Sequence, residues 1–331
     1  MTETVRLMQS VSALELTLTA TPLSEGEINL AVALKPTPGE FPLAQGKVKY
    51  GFTGGTLKLN LKDADFTRFS EEINNYLPVT KFPTFDHPTW KFALPAGLDL
   101  LKTDAEAITL GTVIPTSENW SFEATFTVGK ADILIPEVEG LWRHDLRPNQ
   151  QAILHRKLAL FLWETQLPSP LISLQTNHST AETSPPLPNE ADTSSLLTIL
   201  EKIKTSPSHD FLELCEIANL NPNLDFAGAN LRGTTLRGLD LNGANWSRVN
   251  LRGADLTDID LSQGNLQGAK LSGADLSGAY LSNANLKEAD FHRASLALAN
   301  LSGANLQGAN LQEANLSQTN LNDCHLSSPL I

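Results

Sequence analysis

The sequence is short of cysteine and of cations. Two cysteines, Cys215 and Cys324, occur in 331 residues, with no CxxC pair and no metal-ligand spacing. That excludes a disulfide framework and a zinc ribbon, and the two thiols read as free, reduced and buried. Lys and Arg number 24 against 37 Asp and Glu, a formal net charge of −13, which argues against a nucleic-acid binder. No apolar run approaches the ~18–20 residues of a membrane helix. The opening MTETVRLMQSVSALELT has no basic stretch followed by an apolar one, so the chain reads as soluble and cytoplasmic. Catalytic signatures are missing too: there is no G-x-x-x-x-G-K-[ST], no G-x-G-x-x-G after a strand, no G-x-S-x-G and no H-E-x-x-H. Gly51, Gly54 and Gly55 lie between two strand-like runs and read as a hairpin turn, not a phosphate loop. His144–Asp145, beside Trp142 and Arg143, reads as a solvated connection, since adjacent strand residues point to opposite faces. Asp255, Asp258 and Asp260 lack the glycine and terminal Glu of a calcium loop and read as a solvated face. The chain is therefore expected to have no catalytic residue, no cofactor and no metal.

What is present is a period of five. From Leu224 to Ser328 the chain reads LDFAG ANLRG TTLRG LDLNG ANWSR VNLRG and onward through 21 blocks without an insertion. The third position, i, is Leu in 18 of the 21, with Phe226, Trp246 and Phe291 in the rest, and the first, i−2, is Ala in 13. Neither a helix, at 3.6, nor a strand, at 2, has this period, so the chain must turn a corner once per block, as a solenoid does. Positions i and i−2 are apolar and face inward together while i−1 is polar and faces out. A large Leu beside a small Ala lets four blocks close around a narrow axis, giving coils of about 20 residues stacked at about 4.8 Å, a rod of roughly 25 Å. Residues twenty apart then stack. Phe226 is expected over Trp246, with Gly264 making room for the indole, and Asn245, Asn265, Asn285 and Asn305 are placed to form an amide ladder.

ANLRG, ADLSG, ANLQG and ANLQE resemble the pentapeptide-repeat family, with its A-(D/N)-L-X-X consensus. The resemblance implies a right-handed quadrilateral β-helix with four repeats per coil over residues 224–328. The lead-in DFLELCEIANLNPNLDFAGANL is similar to the entry of such rods in cyanobacterial proteins. Thr234, Leu239, Val249, Ile259, Gly264 and Cys324 depart from Ala at i−2, and Lys270 and Tyr280 from Asp or Asn at i−1, so the early coils are expected to be less regular.

The rest of the chain reads as mainly β. Leu14–Leu18 and Ile28–Leu34, Val48–Phe52 and Leu57–Leu61, Trp120–Val128 and Ile133–Ile135 alternate like strands joined by short turns. An antiparallel sandwich or open barrel is expected over residues 1–166, ending in one amphipathic helix, Gln150–Gln166, that covers a face or edge of the sheet. Residues 167–193 carry five prolines with Ser and Thr and read as a flexible linker. Residues 194–223 read as two short helices, capped by Thr193 or Ser194 and by Ser208, that close the open start of the rod.

With twenty residues per coil, Arg232, Arg248, Arg252, Lys270 and Arg293 fall on a basic side, and Asp240, Asp255, Asp258, Asp260 and Asp275 on an acidic one. These are the candidate interaction faces, and a rod with broad faces and no cleft suits protein partners. The expected function is a non-catalytic scaffold or adaptor for a protein partner of unknown identity. The uncapped C-terminal end, with Leu326, Leu330 and Ile331, offers a homodimer contact, as the family resemblance also implies. That resemblance implies one alternative, a DNA mimic acting on DNA gyrase or another topoisomerase. A ligand or catalytic site in the β-rich first half is the other.

Overall fold

In a computed structural model of the chain, the described residues are 5–11, 14–36, 39–44, 46–70, 79–82, 87–93, 107–142, 145–167, 170–175 and 190–326. They belong to two compact units: Met1–Leu141 with Leu162–Pro188, and Trp142–Phe161 with Asn189–Ile331.

The first unit is antiparallel throughout. Its strands are β1 (Val5–Val11), β2 (Leu14–Pro22), β3 (Ile28–Pro36), β4 (Gly39–Leu43), β5 (Gly46–Phe52), β6 (Gly54–Lys62) and β7 (Ala64–Phe69). They are followed by β8 (Val79–Phe82), β9 (Thr89–Ala93), β10 (Ile108–Pro115), β11 (Ser121–Thr127), β12 (Ile133–Glu139) and β13 (Ile172–Gln175). Three open sheets result, ordered β1-β2-β3-β10-β7, β13-β11-β6-β9-β8 and β12-β5-β4. Alternation fixes which side of each strand is buried: Leu16 pairs with Leu34 and Leu18 with Val32 across the β2–β3 hairpin, and all four are buried. Phe66 of the first sheet meets Trp90 of the second with ring centroids 5.6 Å apart.

Two readings of this half are corrected. β5 and β6 are not a hairpin. They lie in different sheets, and the chain crosses at Thr53, whose N–H donates to Asp132 O at 2.7 Å. Gly51 and Gly54–Gly55 are strand residues, and a Cβ on Gly55 would sit 2.4 Å from the Phe126 ring, so glycine there serves close approach, not a turn. β11 and β12 cross between the same two sheets, making the sheet-switching corner known from sandwiches. The linker is also shorter than 167–193. Residues 172–175 form β13, which pairs with β11, and residues 176–189 lie outside the described residues.

The second unit holds α1 (Pro148–Gln166) as far as Phe161, then α2 (Glu190–Thr205), α3 (Phe211–Ala218) and the rod. The reading that α1 covers the sheet holds only for its last turn, where Trp163 Nε1 donates to Val128 O at 3.1 Å; the bonds of its first turns correct the rest. Asn149 Nδ2 donates to His209 O and to Thr235 O, both at 2.9 Å, and its Oδ1 accepts from Thr235 N at 3.0 Å. Gln150 Nε2 donates to Ile203 O and Ser206 O at 3.2 Å, and Arg156 Nε donates to the Asp225 carbonyl. The first coil of a solenoid has no coil before it to pair with, and these polar side chains of α1 meet its backbone and that of the helices beside it. The helix is accordingly buried on most sides, not along one stripe. Both capping residues differ from expectation as well. α2 starts at Glu190, before Thr193, and the N-cap of α3 is Asp210, whose carboxylate accepts from Glu213 N at 3.0 Å. Ser208 instead accepts from Asp210 N at 3.1 Å.

The rod keeps its twenty-residue register. Parallel bridges run Asn230↔Asn250, Thr235↔Asp255, Asp240↔Asp260 and onward to Asn305↔His325. Position i fills the axis: Leu231, Leu241, Leu251, Leu261, Leu271, Leu281 and Leu301 are fully buried. Phe226 and Trp246 stack at 6.0 Å, and Phe211 of α3 lies 5.1 and 6.1 Å from them, completing an aromatic plug at the rod's start. Gly264 does not make room for the indole. A Cβ there would first meet Leu261 O, Ala244 O and Leu266 Cδ1. Leu224, at i−2 of the first block, is 57% exposed; no coil precedes it and the inward pattern starts one block later.

Candidate functional site

The outer surface of the rod is built from positions i−1, i+1 and i+2, and the backbone dictates what can stand there. At i−1, the Asp or Asn side chain accepts from the N–H two residues on: Ser262 N to Asp260 Oδ1 at 2.9 Å, Ser277 N to Asp275 at 3.0 Å, Gln307 N to Asn305 at 3.1 Å. This Asx turn satisfies a donor at the corners where Asp or Asn stands at i−1, which explains the D/N of the repeat. At i+2 the backbone is left-handed. Ten glycines from Gly228 to Gly308 have φ of 64–72°, and ten other residues, among them Arg248, Asp258, Arg293 and Leu298, have φ of 57–63°. With the i+3 N–H bonded back to the i carbonyl, as Thr234 N to Leu231 O at 3.3 Å, each corner is a turn with one left-handed residue, the type II pattern. The sequence signal for both features is the Asp/Asn and Gly columns of the repeat.

Four sides follow from the register. The side of Arg252 carries Arg232, Arg252, Lys270 and Arg293 with two acids, Asp290 and Glu313. Arg293 Nε donates to Glu313 at 2.8 Å and Arg252 lies 3.9 Å from Asp290; the Glu313 carboxylate raises the guanidinium of Arg293 and is itself lowered. Lys270 is half-buried, and burial with Arg252 nearby lowers its ammonium below the usual value. Arg248 is not in this column but at a corner of the adjoining side. The opposite side carries Asp240, Asp260 and Asp323 and no Lys, Arg or His in its blocks 239–243, 259–263, 279–283, 299–303 and 319–323. Asp255 and Asp275 stand on the side between, bridged twenty apart, with Asp258 at its corner 3.5 Å from Arg237. A hydrogen bond from the Thr257 hydroxyl at 2.6 Å holds the Asp255 carboxyl below its usual range. The fourth side bears the amide ladder: Asn265 Nδ2 donates to Asn245 at 3.3 Å and Asn285 to Asn265 at 3.1 Å.

The candidate end contact is partly visible. Leu326 is half-buried, as are Leu311, Leu316 and Leu321, while Leu330 and Ile331 lie outside the described residues, as does His144 of the adjacent acid–base pair. Among the described residues no cluster of His, Cys, Asp and Glu is placed to hold a metal, and no helix is long and apolar enough to cross a membrane. Cys215 is buried and burial pushes its thiol up, whereas Cys324, read as buried, is only half so; no described coil lies beyond it.

Residues 229–328 match the family model of pentapeptide repeats, in 8 copies. No curated protein matches the chain by sequence. Among solved structures it is similar to a pentapeptide repeat protein, Rfr23, of the cyanobacterium Cyanothece 51142. There the identity is 42%, covering 27% of this chain and 60% of that one, with a TM-score of 0.27. It is also similar to a pentapeptide repeat protein of the Arabidopsis thaliana thylakoid lumen (31% identity, 33% of this chain and 70% of that one, TM-score 0.22). A third is HetL of Nostoc sp. PCC 7120, involved in heterocyst differentiation regulation (34% identity, 31% and 57%, TM-score 0.21). The chain thus spans 60% of the Cyanothece protein's length.

Proposed function

The chain belongs to the pentapeptide-repeat family, and from that premise we propose that it is a non-catalytic protein–protein interaction scaffold whose rod sides are its binding surfaces. One observation carries the reading: charge is sorted by side. Arg232, Arg252, Lys270 and Arg293 outnumber Asp290 and Glu313 on one side, and the side opposite has acids and no cation. Like charges stacked at strand spacing repel mildly, so their retention in columns is most simply explained by partners of opposite charge. A rod of closed, leucine-filled coils presents broad surface in place of a cleft, which suits macromolecules.

The test is affinity capture from native lysate with the intact protein, a double variant Arg232→Ser/Arg252→Ser and a double variant Asp240→Asn/Asp260→Asn. Loss of a captured protein with one pair and not the other supports the scaffold. Capture indifferent to both pairs removes it. A second reading concerns assembly. Leu311, Leu316, Leu321 and Leu326 are half-buried where the earlier coils are closed, and we propose that a second copy covers this end. A light-scattering mass of one chain at high concentration would exclude that dimer.

A further inference from the structure

Two departures from the repeat stand near one edge of the cation-free side of the rod: Tyr280 on that side, and Leu298 at the adjoining corner of the Asp255 side. Tyr280 occupies an i−1 position and so gives up the Asx acceptor that Asp or Asn supplies there. Leu298 holds a corner at φ 63° that in the coil before is Gly278. Tyr280 is 53% exposed and Leu298 63%, among the few large apolar side chains so exposed among the described residues. Neither helps the rod: one forgoes a hydrogen bond, the other puts a branched side chain where glycine is the unstrained choice. Their positions meet. Tyr280 bridges Asn300 and Gly278 N donates to Ala297 O at 2.9 Å, so Leu298 is the corner residue two positions before the one that Tyr280 bridges. On the other flank Tyr280 bridges Asp260, which bridges Asp240.

The column therefore reads acid, acid, aromatic ring, with an aliphatic side chain at the adjoining corner. Asp260 Oδ1 accepts from Ser262 N, and a carboxylate has acceptor sites beyond one bond. No Lys, Arg or His of this side is available to meet it. A guanidinium fits this arrangement better than an ammonium, because it is planar, pairs with a carboxylate through two parallel bonds and stacks on a tyrosine ring. We propose that Asp260, Tyr280 and Leu298 form a docking patch for an arginine-bearing segment of a partner protein. The guanidinium lies over Tyr280 against Asp260, and a neighbouring apolar side chain of the partner covers Leu298. The proposal rests on the scaffold reading and names the chemistry of one partner.

The test uses the full-length protein to select from a random linear peptide library displayed on phage, followed by calorimetric titration of a selected peptide. The expected peptides carry Arg beside a large apolar residue. Tyr280→Asn and Leu298→Gly both restore the repeat and so preserve the rod; each is expected to weaken binding by about 10-fold or more. Arg→Lys in the peptide should do the same, and Arg252→Ser on the opposite side should do nothing. Selected peptides without Arg, or binding unmoved by Tyr280→Asn and Leu298→Gly, would overturn the patch. Peptides whose binding responds to Arg252→Ser instead would overturn it while leaving the scaffold reading standing. No selected peptide, together with lysate capture indifferent to both side variants, would remove both.

Discussion

The rod and the β-rich unit solve the same problem, burying leucines between hydrogen-bonded extended segments, with opposite economies of information. In the rod every bridge between coils joins residues twenty positions apart, so one block specifies the core residue, the Asx acceptor and the left-handed corner, and repetition does the rest. In the β-rich unit Leu59 and Leu18 are buried as completely as Leu266, but their partners come from strands scattered over the chain. β6 pairs with β11 and β9, and β3 with β10. The lesson is that local pattern determines which side of a strand is buried in both units, and determines the neighbour only where the neighbour is a copy.

Four perturbations would sharpen or break this contrast. The largest effect is expected from Leu266→Ala, at a fully buried axial position, which should cost about 2–5 kcal/mol. The half-buried Leu316 of the last coil should cost less than half as much on the same change, read by hydrogen exchange of rod amides. Equal costs would show that the end coil is as closed as the middle. Next is Arg156→Met. It removes a charged donor from the Asp225 carbonyl and should lower protection by about 1.5–3 kcal/mol in the first coil, with little change near Leu301. Loss of protection in the β-sheets instead would return α1 to the unit that the sequence assigned it.

The third is a pair of glycines lost for different reasons. Gly55→Ala forces a Cβ into the Phe126 ring and should cost about 1–3 kcal/mol. Gly253→Ala meets nothing within 4 Å but sits at φ 64°, so only the backbone term of about 1–2 kcal/mol applies. Thermal unfolding should then show Gly55→Ala lowering the β-unit transition and Gly253→Ala the rod's. The smallest effect is a gain. Gln263→Gly relieves a left-handed corner at φ 59° and should raise stability by about 0.5–1 kcal/mol after the added freedom of the unfolded chain. A loss would mean that the Gln263 side chain makes contacts that outweigh its strain.

The same contrast explains what could be read from residues alone. The five-residue period, the Leu-filled axis, the Phe226–Trp246 stack and the amide ladder at Asn245–Asn285 were legible, because each depends only on spacing. The β2–β3 hairpin was legible for the same reason. Thr53 as a sheet-switching point was not, since alternation continues through it unchanged while the bond to Asp132 comes from far along the chain. The allegiance of α1 was hidden in Asn149, Gln150 and Arg156, polar residues that read as solvent-facing until their acceptors 53 to 86 residues away are known. Of the candidate faces, the charge columns were visible from the register. That Arg252 and Arg293 share their side with Asp290 and Glu313, and that Arg248 and Asp258 stand at corners, required the coils to be closed.

Hydroxyl-radical footprinting of the captured complex tests the central claim most directly, because it reports which side chains a partner shields. Binding through a rod side predicts protection at positions recurring twenty residues apart on one side, such as Asp240, Asp260 and Tyr280, with the opposite column of Arg232 and Arg252 unshielded. Protection confined to the β-rich unit, or spread over the rod with no twenty-residue spacing, would contradict it.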